Sequence, residues 1–311
     1  MDGKERLAEM TLGDKITLAQ IRIRQWYDHW DGKVSVSFSG GLDSTVLLHL
    51  VREIYPEVPG VFADTGLEYP EIRDFVKSVD NMVWLKPKMP FKDVIKIHGY
   101  PVISKETAQK LRVLQNPTAG NVALRERYMT GIAKNGRHHR NKKLADKWMY
   151  LINADFKISE RCCKALKTGP LQHHTKQSGL MPYVGIRSTE GGQRLQSLAK
   201  FGCNLYEARH PRSAPLSKWT DQDVRGYIQL HNLLYSKIYD MGEKRTGCMF
   251  CAFGAHLEPG ENRFQRMART HPRHYRTCMD KLGMRKVLGH IGVDVNPLPE
   301  QLVLNFETEA A

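Results

Sequence analysis

The stretch Val34-Ser-Val-Ser-Phe-Ser-Gly-Gly-Leu-Asp-Ser-Thr45 decides the fold. Residues 34–38 alternate apolar and small polar side chains after an Asp-Gly pair, and this pattern predicts a β-strand. Apolar residues then recur at helical spacing from Leu42 to Ile54, which predicts an α-helix. The turn at residues 39–44 joins the two. Its glycines allow a tight backbone, and the amides of the first helical turn, together with the helix dipole, form an anion site.

The 39–44 turn, Ser-Gly-Gly-Leu-Asp-Ser, has neither the Gly-Lys-Ser/Thr ending of the Walker loop nor the GxGxxG pattern. It resembles the PP-loop, SGGxDS, of the ATP pyrophosphatase superfamily. The resemblance implies that ATP is cleaved between its α and β phosphates and that a substrate is adenylated. It also implies a site for pyrophosphate and Mg²⁺, with Asp43 near the metal and further contacts from Ser37, Ser39, Gly40, Gly41 and Ser44. The alternative is an ordinary glycine-rich turn.

Length and charge narrow the possible classes. A chain of 311 residues is long enough for one large domain with additions, or for two domains. Its 47 basic and 33 acidic residues give a formal net charge of +14, which favours nucleic acid as a partner over a merely solvated surface. No apolar run approaches the ~20 residues that span a membrane, and residues 1–6 lack the apolar core of a signal peptide. We therefore expect a cytoplasmic protein with no membrane partner.

A second apolar run at residues 58–62 ends in Ala63-Asp-Thr-Gly66. A strand ending in this way places Asp64 at the carboxyl edge of a parallel sheet, where open α/β sheets bind ligands. The patterns also predict helices over 12–30 and 69–79 and a strand over 82–85. This alternation predicts an α/β fold with a doubly wound parallel sheet.

The chain is expected to have an N-terminal helix at 1–30, a core domain at 31–255 and a basic C-terminal extension at 256–311. Within the core domain, residues at about 104–155 form a helical region that we call the basic insertion. It combines cations with aromatic side chains, as nucleic-acid-binding surfaces do, although a solvated hairpin anchored by its aromatics is the alternative. These residues are Arg125, Arg127, Tyr128, Lys134, Arg137, Arg140, Lys142, Lys143, Lys147, Trp148 and Tyr150. The extension adds basic residues at spacings that predict several on one helix face, namely Arg263, Arg266, Arg269, Arg273, Arg276, Arg285 and Lys286.

Six cysteines in a chain expected in the cytoplasm indicate metal or redox chemistry rather than disulfides. Two pairs supply four soft thiolates, the ligand set of zinc or an iron–sulfur cluster; they are Cys162, Cys163, Cys248 and Cys251. Two buried pairs without metal are the remaining alternative. Cys203 and Cys278 are candidate sulfur carriers or incidental thiols, and basic neighbours favour a lowered pKa for Cys278.

Several motifs resemble one family. The segment at 162–171 is similar to the CCxxxKxxPL of assimilatory adenylylsulfate (APS) reductases, whose four cysteines hold a [4Fe-4S] cluster. Residues 64–71 resemble the DTGxxxPE segment of phosphoadenosine phosphosulfate (PAPS) reductases, residues 185–190 their GxRxxE loop, and residues 215–242 their PLxxW stretch. The resemblance implies that Asp64 and Gly185 lie beside the nucleotide and that Arg187 faces the phosphates or sulfate. It also implies that the four paired cysteines hold the cluster.

Sulfonucleotide reductases carry a catalytic cysteine in a C-terminal Glu-Cys-Gly-Leu-His tail, and this sequence does not contain that motif. The same scaffold with four cysteines occurs in the ATP pyrophosphatases of DNA phosphorothioation, which this chain resembles most in kind. We therefore expect an ATP-dependent [4Fe-4S] sulfur-transfer enzyme that adenylates and thiolates nucleic acid, DNA before tRNA. A cysteine desulfurase or another donor would supply the sulfur. The alternatives are a sulfonucleotide reductase, a tRNA-thiolating enzyme and a non-catalytic nucleic-acid-binding scaffold; the oligomeric state is left open.

Overall fold

The computed structural model describes residues 10–133, 135–187 and 202–297. Predictions on Lys134, on residues 188–190 of the GxRxxE segment and on the tail at 298–311 lie outside the described residues, as does the side chain of Arg140. The chain divides into two compact units, one made of residues 1–87 and 167–246, the other of residues 88–166 and 247–311. These boundaries differ from the predicted ones at 30, 104, 155 and 255.

Helices and strands alternate along most of the described chain. In chain order they are α1 (Leu12–His29), β1 (Val34–Phe38), α2 (Leu42–Arg52), β2 (Gly60–Ala63), α3 (Pro70–Lys77), β3 (Met82–Leu85), α4 (Phe91–His98), β4 (Val102–Ile103), α5 (Lys105–Gln115), α6 (Val122–Thr130), α7 (Gly169–Ser178), β5 (Met181–Val184), β6 (Asn204–Leu205), β7 (Arg212–Ser213), α8 (Asp221–Leu230), β8 (Ala252–Phe253), α9 (Arg263–Thr270), α10 (Pro272–Arg276) and α11 (Met284–His290). Short 3-10 helices lie at Ala119–Asn121, Arg140–Lys142, Asp146–Asn153, Lys237–Tyr239 and Ala255–Leu257, and π-helical turns at Lys164–Thr168 and Thr277–Lys281.

The first unit is built on a six-stranded sheet in the order β3-β2-β1-β5-β7-β6. All neighbouring pairs are parallel except β6 with β7. The mostly parallel sheet confirms the predicted α/β class. The strand order changes direction at β1, since β2 and β3 lie on one side and β5 and β7 on the other. Such a switch point leaves a crevice at the carboxyl ends of the strands, and the 39–44 turn lies there.

The core of the first unit explains why residues 34–52 form a strand and a helix. Val34, Val36 and Phe38 of β1 are buried on one face, and the apolar stripe of α2 includes Val46 and Leu50, both fully buried. Burial of each such side chain contributes about 1.5–3 kcal/mol, so this packing outweighs the modest helix propensity of the β-branched residues. The predicted strand at 58–62 is found slightly later, as β2.

Helices α1 and α8 begin with matching capping boxes. The Thr11 side chain accepts from the amide of Asp14, and the Thr220 side chain accepts from that of Asp223. Thr220 is therefore the N-cap of α8. Asp223 also pairs with the Lys15 ammonium at 2.6 Å, which ties α8 to α1 through a mostly buried ion pair.

The second unit contains α4–α6, α9–α11 and the two parallel strands β4 and β8. The basic insertion is helical, as predicted. The prediction that several C-terminal arginines share one helix face is confirmed for Arg263, Arg266 and Arg269, which α9 carries at spacings of three. The other basic residues lie on separate helices, because His271-Pro272 and the π-helical turn at Thr277–Lys281 divide the segment. No helix among the described residues is both long and apolar enough to cross a membrane.

Candidate nucleotide site and thiol cluster

The 39–44 turn forms an anion site at the start of α2. Gly41 is the N-cap and has no side chain that could accept from the amides of the first helical turn. The first helical bond is donated by Thr45 to the carbonyl of Gly41, which leaves the amides of Asp43 and Ser44 ahead of the ladder. Ser44 Oγ accepts from the amide of Ser39 at 3.1 Å and braces the turn. The positive end of the helix dipole therefore faces an open, hydroxyl-lined turn.

Both glycines are required by the tight backbone. Gly40 has φ +71°, and a Cβ there would lie 2.9 Å from Cγ2 of Ile72. A Cβ on Gly41 would lie 2.6 Å from Oγ1 of Thr246. Gly185 follows β5 and packs closely from the other side, because its Cβ would lie 3.3 Å from the backbone of Asp43 and Ser44. A side chain at position 185 would therefore crowd the backbone of the turn.

Tyr239 completes the turn, and sequence reasoning gave it no role. Its hydroxyl accepts from the amide of Leu42 at 3.1 Å and lies 3.2 Å from Oγ1 of Thr246. Burial raises the pKa of Tyr239, so the hydroxyl stays protonated. The available signal was its position in the 215–242 stretch, whose resemblance to the PAPS reductase family was noted without a site role.

Arg187 lies at the carboxyl end of β5 and meets the turn, as the resemblance implied. Its Nε is 3.0 Å from the Asp43 carboxylate, and its Nη2 donates to Oδ1 of Asp221 at 2.7 Å. The side chain is buried; its Nη1 has no hydrogen-bond partner, and its Nε has only the close contact with Asp43. An unsatisfied buried donor costs about 1–3 kcal/mol. A phosphate oxyanion is the group that a guanidinium with spare donors binds best.

Asp43 is the acidic partner in this site. Burial raises its pKa above the usual aspartate value, and the charge and hydrogen bond of Arg187 oppose that rise. The carboxylate is therefore held in place mainly by Arg187. The predicted pair Asp43 and Arg187 is brought together, and Asp221 is an added, solvent-exposed partner that sequence reasoning missed. A carboxylate beside a phosphate site suits Mg²⁺, as predicted for Asp43.

Asp64 and Ser37 are placed less directly. Asp64 follows β2 at the same carboxyl edge and is buried, but Arg73 donates to it at 2.8 Å and the amide of Gly66 at 3.1 Å. Its carboxylate is thus already satisfied by the protein. Ser37 lies within β1 opposite Val61. It lines a cavity of about 680 Å³ whose wall includes α7 residues, so it is not part of the turn itself.

The four paired cysteines lie together in the second unit. All six cysteines of the chain are described, and none forms a disulfide. The sulfurs of Cys162 and Cys163 are 3.9 Å apart. The hydrogen bond to Cys163, burial and the nearby thiols of Cys251 and Cys248 raise the pKa of Cys162 far above its usual value. The structure therefore collects four thiols, of which Cys162 and Cys251 have raised pKa values, so that their deprotonation is favoured by a bound cation.

Spacing separates the two metal alternatives. Around zinc, four thiolates at about 2.3 Å stand about 3.8 Å from one another. Among the described residues, the only group of three or more metal-ligating side chains with all ligand atoms within 4.8 Å contains no cysteine. The four thiols therefore do not all stand at the spacing of one zinc ion. Burial raises the pKa of Cys251 overall, and the backbone hydrogen bond from Phe253 and the charges of Arg263 and Lys105 only partly oppose that rise.

The two remaining cysteines differ from each other. Cys278 is fully buried, and burial raises its pKa, so the predicted lowering by basic neighbours is wrong. Cys203 is half-buried with its sulfur 2.8 Å from Oγ of Ser217. Of the two candidate sulfur carriers, Cys278 is a core thiol and Cys203 is the more accessible.

The predicted nucleic-acid surface is partly neutralised within the protein. In the basic insertion, Trp148 is buried and the hydroxyl of Tyr150 donates to the carbonyl of His290, so Trp148 anchors the fold, as the alternative reading had it. In the C-terminal segment, Arg263 pairs with Glu258, Arg269 with Glu261, Arg285 with Asp280 and Lys286 with Asp155. Much of this positive charge is therefore already paired.

A mostly parallel sheet with the 39–44 turn at its switch point defines an α/β protein of the PP-loop class. The chain belongs to the phosphoadenosine phosphosulfate reductase domain family, whose model matches residues 33–96 and 122–253. The match includes the turn, Asp64, Arg187 and all four paired cysteines. It leaves out residues 97–121, which contain β4 and α5.

Curated relatives agree with this assignment. An adenosine 5'-phosphosulfate reductase of Bacillus cereus is 22% identical over 259 residues, covering 81% of this chain and 87% of that protein. The corresponding reductase of Anoxybacillus flavithermus is 23% identical over 76% of this chain and 81% of that protein. An uncharacterized protein of Methanocaldococcus jannaschii is 23% identical over 84% of this chain. The matched region covers only 51% of that longer protein.

Two solved structures are similar, both with TM-scores below 0.5. A phosphoadenylyl-sulfate (PAPS) reductase of Candida auris, in complex with phosphate, has a TM-score of 0.44 and 18% identity, covering 78% of this chain and 91% of that chain. A U34-tRNA thiolase of Methanococcus maripaludis, with its [4Fe-4S] cluster, has a TM-score of 0.36 and 13% identity, covering 93% of this chain and 86% of that chain.

Proposed function

We propose that the protein is an ATP-dependent sulfur-transfer enzyme that adenylates and thiolates nucleic acid, with DNA as the first candidate. The observation that carries the proposal is the buried Arg187 guanidinium, which keeps unpaired donors beside Asp43 and the 39–44 turn. This arrangement matches the needs of a reaction that develops charge on a triphosphate.

In the first step, a phosphate oxygen of the acceptor attacks the α-phosphorus of ATP. The new oxygen–phosphorus bond forms as the bond to the β-phosphate breaks, and pyrophosphate leaves. The first-turn amides and the hydroxyls of Ser39 and Ser44 bind the pyrophosphate. Arg187 stabilises the charge on the phosphate oxygens, and Asp43 would hold Mg²⁺, which when bound would supply further charge stabilisation. A sulfide-level sulfur then displaces AMP, which is a redox-neutral exchange.

The thiol set supports the sulfur-transfer half of the proposal. Cys162, Cys163, Cys248 and Cys251 would hold a [4Fe-4S] cluster, which when bound would supply an iron site for sulfur or electrons. The crowding of these thiols, with raised pKa values at Cys162 and Cys251, fits such a group. A cysteine desulfurase or a similar donor would be the source of sulfur, and the net charge of +14 supports a polyanionic acceptor.

The experiment is pyrophosphate release from ATP by anaerobically purified protein, alone, with duplex DNA and with bulk tRNA. Stimulation by one nucleic acid, lost in Asp43→Ala and retained in Arg24→Ala, a variant of an exposed arginine on α1, would support the proposal and name the acceptor class. No pyrophosphate release under any of these conditions would refute it.

A second measurement tests the cluster separately. Iron analysis should give about four irons per chain in the wild type, as a [4Fe-4S] site requires. Cys248→Ser should lose iron and colour. Cys278→Ser should keep both, because Cys278 is a buried thiol that is not one of the four paired cysteines. Equal iron in the two variants would contradict the assignment.

A sulfonucleotide reductase is the second candidate, because the chain aligns with 87% of the Bacillus cereus reductase. Sulfite release from APS or PAPS with a thiol reductant, together with no pyrophosphate release from ATP, would favour it over sulfur transfer. If the protein is a non-catalytic scaffold, protein that retains its iron should release neither pyrophosphate from ATP nor sulfite from APS or PAPS.

A further inference from the structure

A second group of metal-ligating side chains lies on the first unit, apart from the thiols. His49 is in the last turn of α2, Glu53 caps the same helix, and His231 caps α8. Their ligand atoms all lie within 4.8 Å of one another, and no other group among the described residues meets that spacing. The family assignment, the nucleotide site and the thiol set give these three residues no role.

The distances are close to those of a bound metal ion. Oε1 of Glu53 is 3.9 Å from Nδ1 of His49 and 3.7 Å from Nδ1 of His231. Ligands held at about 2.0–2.2 Å in a tetrahedral site stand about 3.4 Å apart. The separation of Glu53 and His231 therefore exceeds that spacing by only a few tenths of an ångström, and the ligand atom of His49 is Nε2, because its Nδ1 contacts Tyr227. Their exposed fractions of 32%, 36% and 27% leave the group open to an ion from solvent.

Tyr227 contacts all three of these side chains. It is fully buried, its hydroxyl donates to Oε2 of Glu53 at 3.1 Å, and it lies 2.9 Å from Nδ1 of His49. Since the hydroxyl proton is used on Glu53, its oxygen accepts from Nδ1–H of His49, and the Nε2 lone pair remains for a metal. The Tyr227 ring also stacks on His231 at 4.1 Å. Such support of first-contact ligands is typical of protein metal sites.

The helix geometry adds an electrostatic argument. The group stands at the C-terminal ends of both α2 and α8, where the helix dipoles place partial negative charge. Two such ends and one carboxylate favour a cation at this point. Two imidazoles and a carboxylate are ligands suited to zinc and its first-row neighbours rather than to Mg²⁺ or Ca²⁺.

We propose that His49, Glu53 and His231 bind one zinc-class divalent ion, which fastens the C-terminal end of α2 to that of α8. The same two helices carry Asp43 and Asp221 at their N-terminal ends, where both contact Arg187. His49 is about 9 Å along α2 from Asp43 at 1.5 Å per residue. The ion would thus join two helices that carry the nucleotide site without itself contacting the phosphates. The proposal does not depend on which reaction the site performs.

The test uses iron-loaded full-length protein, stripped of loosely bound metal and equilibrated with zinc at a fixed free concentration. Zinc and iron are then measured together. Wild type should retain one zinc per chain that His231→Ala and Glu53→Gln lose, with iron unchanged. Loss of a ligand should weaken zinc binding by more than the about 10- to 100-fold that loss of a supporting contact costs. His173→Ala, which removes an exposed histidine from α7, is the matched control and should retain the zinc.

Thermal unfolding without added metal shows whether each variant is folded, and Glu53→Gln preserves the side-chain size if an alanine variant is not. Zinc should raise the unfolding temperature of the wild type and of His173→Ala but not of the ligand variants. Equal zinc content in wild type and the ligand variants, or no zinc in the wild type, would show a hydrogen-bonded Tyr–His–Glu cluster only and overturn the proposal. Because iron and pyrophosphate release are measured on the same samples, failure of this site is distinguishable from failure of the proposed function.

Discussion

Replacing Arg187 by lysine probes the nucleotide site most directly. Arg187 is 6% exposed and contacts Asp43 at 3.0 Å and Asp221 at 2.7 Å, with Nη1 still unpaired. Lysine keeps the positive charge, but one ammonium group cannot make both contacts and also replace the planar donors that face the phosphates. The variant therefore loses donor geometry while the charge of the site is unchanged.

The magnitude follows from where each partner lies. Loss of one preorganised donor to a developing oxyanion costs about 2.7–4 kcal/mol, so Arg187→Lys should lower kcat for pyrophosphate release by about 10²–10³-fold. Asp221 is 84% exposed. A solvated ion pair is worth about 0–1 kcal/mol, so Asp221→Asn should lower kcat by less than about fivefold. The two substitutions at one ion-pair network thus have very different expected effects.

The assay is the initial rate of pyrophosphate release at saturating ATP across a pH series. Burial raises the pKa of Asp43 and Arg187 opposes that rise, so Arg187→Ala should raise the Asp43 pKa further. If the carboxylate is the working form, activity falls as pH drops through that pKa, and the acid limb of the variant should move to higher pH. A lysine variant within about threefold of wild type, equivalent to less than 1 kcal/mol, would refute this reasoning.

Three other predictions concern the same unit. Asp223→Asn leaves the mostly buried ammonium of Lys15 unpaired and should lower the free energy of unfolding by about 3–5 kcal/mol in a denaturant titration. Burial alone would raise the Asp223 pKa, but hydrogen bonds from Lys15 and the helix cap lower it overall; wild-type stabilisation should therefore be present above the unfolded pKa of about 3.9 and fade below it, and a pH-independent stability would contradict this. Gly41→Ala should slow pyrophosphate release by about 10- to 100-fold, because its Cβ would lie only 2.6 Å from Oγ1 of Thr246, and Thr246→Ala should restore most of the loss. If Thr246→Ala restores nothing, this contact is not the cause of the loss. Tyr239→Phe removes the hydroxyl that receives a first-turn amide and should cost about 0.5–1.5 kcal/mol of stability, and an unchanged unfolding midpoint would contradict that hydrogen bond.

The net charge is a weaker guide to the partner than the sequence indicated. Charge counting treats every arginine alike, whereas Arg263, Arg269 and Arg285 are paired with carboxylates in the structure. Paired cations release few counterions, so a nucleic-acid complex would have a shallower salt dependence than the total charge implies. The acceptor therefore has to be identified by experiment on the nucleotide site rather than from composition.

Local patterns were enough for the strand, turn and helix at 34–52, for the α/β class and for each of the two cysteine pairs. Each depends on residues close in sequence: alternation in β1, helical spacing in α2, and paired cysteines at short spacing. Hydrophobic periodicity and glycine sterics act over a few residues, and for that reason they are readable without the fold. The predicted site pair Asp43 and Arg187 came from family motifs, and the structure brings the two side chains together.

Contacts between distant segments were decided only by the tertiary structure. Tyr239 reaches the amide of Leu42 across 197 positions, and Tyr227 reaches Glu53 across 174. Burial likewise made Cys278 a core thiol with a raised pKa, against the effect expected from its basic neighbours. No periodicity encodes such pairs, because which helix ends meet and which side chains lose water depend on how the whole unit packs.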